Sequence, residues 1–76
     1  MNRNRKYYAV ASNDQGAHLD VYLPASERSR SQRAFENAAR QQLGSGWQVH
    51  IMAVDIDGDG QSVLGQPYEV KTFRIR

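Results

Sequence analysis

The run Asp55-Ile56-Asp57-Gly58-Asp59-Gly60 places carboxylates at alternate positions and a glycine at the sixth. A hard cation gathers oxygens in such a tight turn, and the spacing matches the first half of a calcium-binding loop. The second half departs from it: the twelfth position is the amide Gln66, the eighth is the hydroxyl Ser62, and both flanks alternate like strands. The run therefore reads as an acidic hairpin turn in which Asp-Gly pairs supply positive φ, with no metal or cofactor. Asp55, Asp57 and Asp59 then serve best as a cluster of anionic oxygens that a basic groove on a partner could accept in place of phosphates.

His18 and His50 offer the next chemistry. Each falls on the polar phase of an alternating segment, so with Asp20, Tyr22, Gln48, Met52 and Arg74 they are expected on one sheet face, opposite the apolar one. Two imidazoles and a carboxylate can ligate zinc, but no local ligand spacing accompanies them. Tyr, His, Met and Arg are residue types that protein interfaces favour. Nucleophilic catalysis is not expected, since the chain has no nucleophile elbow, no phosphate loop and no serine, histidine and acid in a recognisable local motif.

The cations are segregated. Arg3, Arg5 and Lys6 form a basic stretch near the N-terminus, with residues 1–5 read as an arm. Arg28, Arg30, Arg33 and Arg40 outnumber Glu27 and Glu36 around the central segment. On a helical projection Arg30, Arg33, Asn37, Arg40 and Gln41 lie away from Phe35, an arginine-bearing face suited to phosphate contacts. This is the alternative to a protein-binding surface.

Five elements must position these groups. Lys6 to Ser12 alternates as a strand, Asn13-Asp14-Gln15-Gly16 has turn chemistry, and Ala17 to Leu23 alternates again with Leu19, Val21 and Leu23 inward. Pro24 ends that run. Ser26, Ser29 and Ser31 are successive N-cap candidates, and Ser29 with Gln32 has capping-box spacing. Ala34, Phe35, Ala38, Ala39 and Leu43 form the narrow apolar stripe of a helix predicted to close at Gly44. Trp47 to Ile56 and Tyr68 to Ile75 complete the set as strands. The predicted fold is α+β, in the order β-β-α-β-β: a four-stranded, mainly antiparallel sheet with one helix on one face.

The segments Lys6-Tyr7-Tyr8-Ala9-Val10, Val21-Tyr22-Leu23-Pro24 and Arg33-Ala34-Phe35-Glu36-Asn37-Ala38-Ala39 resemble the opening of HicB-type antitoxins, where a hairpin precedes an alanine-rich helix. The whole layout is similar to small anti-CRISPR proteins of phages and mobile elements. Val21-Tyr22-Leu23, the helix through Ala34, Ala38, Gln41 and Gln42, and Trp47 to Val54 carry that likeness. It implies steric inhibition of a larger complex, without cofactor or turnover.

Composition sets the outer bounds. The chain has 76 residues, 39% hydrophobic and 24% charged, net charge +2 and no cysteine. That is one small domain without disulfides, held by its apolar core or by a partner chain. No apolar run approaches the roughly 18 residues of a membrane span. The expectation is a cytoplasmic, non-enzymatic binding protein. Its partner would be a larger protein or ribonucleoprotein, with direct nucleic-acid contact and homodimerisation as further possibilities.

Overall fold

Antiparallel alternation begins earlier than Lys6. In a computed structural model, which describes residues 3–76, β1 runs Arg3–Ser12, so the basic stretch of Arg3, Asn4 and Arg5 is strand and not an arm. Met1 and Asn2 lie outside the described residues. The remaining elements are β2 (His18–Val21), α1 (Gln32–Gln42), β3 (Gln48–Asp57) and β4 (Tyr68–Arg74). They form one antiparallel sheet in the spatial order β2-β1-β3-β4. The two sequence hairpins are thus joined through β1 and β3, ten residues each and paired along their whole length.

The β1–β2 turn is built by Asn13, whose side-chain oxygen accepts from the N–H groups of Gln15 and Ala17, both at 3.0 Å. Gly16 closes the turn at φ +82°, a conformation glycine adopts without strain. β2 is shorter than the alternation predicts, ending at Val21. Leu19 keeps its expected phase but remains 45% exposed, because β2 is an edge strand that the helix covers only in part.

The helix begins two residues later than the capping-box spacing predicts. Ser31 is the N-cap, and its hydroxyl accepts the Ala34 N–H at 3.2 Å. Ser29 instead braces the approach, accepting the Ser31 N–H. At the other end the helix stops at Gln42, with extended Leu43 as C-cap and its N–H bonded to the Ala39 carbonyl. Gly44 takes no left-handed cap; the positive-φ glycine of this connection is Gly46.

Ala34, Phe35, Ala38 and Ala39 bury against Ala9, Ala11, Val21, Val49 and Ile51. Alanines on both sides let helix and sheet approach closely, so the core contains few large side chains; Ile51 and Val49 are the largest that are fully buried. An eleven-residue helix spans about 16 Å, whereas a ten-residue strand spans about 33 Å. The helix therefore covers only one half of β1 and β3. The molecule measures 42 × 27 × 16 Å, the thin dimension being that of a sheet with a single helix on it. Among the described residues no helix is long and apolar enough to cross a membrane.

Candidate functional site

The face of the sheet turned away from the helix carries the polar phase of every strand. The register sets out its rows. His18 is opposite Ser12, which is opposite Gln48, which is opposite Arg74. Next comes Asp20–Val10–His50–Thr72, and then Tyr8–Met52–Glu69. The structure thus brings His18, Asp20, Gln48, His50 and Met52 onto one uncovered surface, with Tyr8 and Val10 between them. Tyr22 lies just past the end of β2 and is 70% exposed. Its phenol reaches toward Asp20 at 3.5 Å, and its backbone carbonyl and N–H are both tied to the Gln42 amide on the helix.

His50 is fixed from both sides. Its Nε2 is 3.2 Å from the Ser12 hydroxyl, and its Nδ1 is 2.9 Å from the Glu69 carboxylate. An ionised carboxylate only accepts, so Nδ1 carries the hydrogen; in the neutral ring Nε2 then accepts from Ser12. Hydrogen bonding from Thr72 first, and from His50 next, holds the Glu69 carboxyl below its usual range.

A β-bulge makes this contact possible. Ile51 pairs with Lys71 and Met52 pairs with Glu69, leaving Val70 as the extra residue. In an unbroken strand Glu69 and Lys71 would share a face. With the bulge, Glu69 meets His50 on the open face, while Lys71 crosses to the helix side and donates to Glu36 at 2.7 Å.

Ser12, His50 and Glu69 have the atom order of a nucleophile, base and acid. No sequence signal announces this chain, because its members come from three strands whose order and bulge are invisible in the sequence. The three side chains stand on a flat sheet surface, and the recesses at the sheet margins are lined by other residues. Acyl transfer also needs donors converging on a developing oxyanion in a water-excluding site. The network's visible effect is to hold the imidazole of His50 in one orientation between Tyr8, Val10 and Met52.

The three aspartates separate. Asp55 accepts from the Tyr68 hydroxyl at 3.1 Å and lies 3.8 Å from Arg5, its partner across β1 and β3. Asp57 accepts from the Gly58 N–H. Asp59 turns inward on its own loop, taking the N–H groups of Gln61 and Ser62 at 2.8 and 3.2 Å. Those backbone bonds lower its carboxyl below the usual range. Among the described residues no three potential metal ligands converge. Asp57 and Asp59 remain together at the hairpin, both engaged by backbone N–H groups of their own loop.

The arginine face also divides. Arg30 precedes the helix, and its guanidinium lies 5.6 Å from the centroid of the Phe35 ring, contrary to the outward position predicted. Arg40 lies over the Phe73 ring at 4.4 Å, drawn toward the sheet. Arg33 remains exposed on the helix with Asn37 and Gln41. Arg5 lies against Tyr68 at the acidic end, with Lys6 beside it in β1. The basic residues therefore form no single surface.

Compared with known protein families, with curated proteins and with solved structures, the chain matches none.

Proposed function

We propose that the chain is a non-enzymatic binding protein of the cytoplasm that blocks a larger protein or ribonucleoprotein by laying its helix-free sheet face on it. The observation that carries this reading is the continuous set of cross-strand rows: an apolar centre of Tyr8, Val10 and Met52, an oriented His50, and a polar margin containing His18, Asp20, Gln48 and Arg74. Interfaces share that anatomy, with large amphipathic side chains at the centre and charges at the rim. Orientation of His50 before binding lowers the entropy lost on docking. A margin bearing both signs fits a mixed protein surface better than a uniformly anionic one.

The test compares variants for capture of, and inhibition of, one host complex. Tyr8→Asp and Met52→Asp place carboxylates at the apolar centre, and each is expected to weaken capture at least about tenfold. Asp57→Asn with Asp59→Asn is expected to leave capture within about twofold. Inhibition is expected to be stoichiometric, ending at one protein per blocked site. Full capture by the Tyr8→Asp and Met52→Asp variants, or complete inhibition at a small fraction of one equivalent, would overturn the reading.

A further inference from the structure

A group of arginines gathers where β4 ends beside the last turn of the helix. Arg40, Arg74 and Arg76, with Ile75, line an open recess of about 390 Å³. Three guanidiniums come there from the helix and from the end of β4, segments that the sequence separates by more than thirty positions, and Arg40 and Arg74 each have a carboxylate at 3.8 Å. Glu36 is taken by Lys71 at 2.7 Å, leaving Arg40 3.8 Å away. Arg74 is 3.8 Å from Asp14, whose side chain is 86% exposed. Arg40 is held over the Phe73 ring, which fixes the direction of its remaining donors.

A second recess of about 220 Å³ adjoins the first and is lined by Trp47, Gly46, Ser45 and the turn residues Asn13, Asp14 and Gln15. The two are joined by backbone bonds: Gly46 donates to the Ile75 carbonyl at 3.0 Å, and Ile75 donates to the Trp47 carbonyl at 2.8 Å. Trp47 packs against the core and is half-buried, so the part of its indole that lines the recess, with the amide and hydroxyl groups beside it, borders the guanidiniums: phosphates on the arginines, a base against the exposed part of the ring. Asp14 opposes a phosphate there, and its neutralisation is part of the test.

We infer that the corner formed by Arg40, Arg74, Arg76 and Trp47 binds single-stranded nucleic acid through its phosphodiester backbone, with a base against Trp47. Neither the N-terminal cations nor Arg33 takes part; Arg74 is shared with the margin of the sheet face, whereas the apolar centre of Tyr8, Val10 and Met52 is not, so the two readings are tested by different variants.

Trp47 is the only tryptophan of the chain, so its emission reports on this corner. The full chain is titrated with a short oligothymidylate. Quenching of Trp47 is expected, with log affinity falling against log salt at a slope of about −2, as three neutralised phosphates of a single strand require. Arg74→Gln with Arg76→Gln, both exposed and outside the core, is expected to reduce the slope to about −0.7. Asp14→Asn is expected to tighten binding, and Arg33→Gln to leave it unchanged. Circular dichroism verifies that each variant is folded. Four results would overturn the inference: no quenching at low salt, an unchanged slope in the Arg74 and Arg76 variant, an equal loss in Arg33→Gln, or equal quenching by inorganic phosphate at the same phosphoryl concentration.

Discussion

At the residue scale, Glu36 ties the helix to the outer strand. It is nearly buried at the seam between helix and sheet, where it accepts from Lys71 and from Gln32. The helix makes its backbone approaches to β1, β2 and β3, and reaches β4 through this carboxylate and through Arg40 on Phe73. Hydrogen bonding from Lys71, above all, holds the Glu36 carboxyl below its ordinary value of 4.5. A depressed folded-state value means that the unfolded chain binds the proton at higher pH than the folded one. The stabilisation is therefore complete above the ordinary value and is lost as pH falls through the lowered one. Glu36→Gln is expected to cost about 1 kcal/mol or less at neutral pH, as measured by thermal unfolding, because Lys71 is substantially exposed. The same variant should lose less stability than the parent between about pH 5 and pH 3, the range in which carboxylates titrate. An identical acid profile in the two proteins would contradict the role given to Glu36.

At the element scale, the helix depends on a single cap. Ser31 satisfies the Ala34 N–H, and the first turn contains no acidic residue to offset the helix dipole. Ser31→Ala is expected to destabilise the fold by about 1 kcal/mol, with a fall in melting temperature of several degrees. An unchanged melting temperature would mean that the helix is nucleated elsewhere. Much of this element was legible in the chain: the alanine stripe and the serines near its start marked a helix. The choice of Ser31 over Ser29 depended on where the chain leaving Pro24 could bend. Strand phases were legible too, because alternation of apolar and polar residues follows directly from the pleat. That is why His18, Asp20, Gln48, His50 and Met52 could be assigned to one face. Two features had no local signature. The central pairing of β1 with β3 is between segments some forty residues apart, and the bulge at Val70 reverses the phase of Glu69 relative to Lys71. The Ser12–His50 and Arg5–Asp55 contacts depend on the first, and the His50–Glu69 contact on the second. Arg30 and Arg40 were misplaced for a different reason: a helical wheel orders Cα positions, whereas a long guanidinium side chain folds back onto any aromatic ring within reach.

At the scale of the whole molecule, charge is arranged by position along the strands. Asp57 and Asp59 mark one end of β3, while Arg74 and Arg76 lie beyond the other. Arg5 sits at the acidic end and compensates Asp55. The net charge of +2 thus describes neither end. The sheet face between the ends is nearly neutral in its charged residues, which suits a docking surface.

The mismatch in length between helix and strands has a dynamic consequence. Backbone amides under the helix are sheltered by the apolar core, whereas those of β1 near Arg5 and of β3 near Asp57 lie beyond the helix's reach. Hydrogen–deuterium exchange should therefore be graded along each long strand, slowest at Ala9, Ala11, Val49 and Ile51 and faster toward Arg5 and Asp57. Uniform protection along β1 would contradict this. Fraying is expected to begin at the acidic hairpin, while the helix-covered half stays closed.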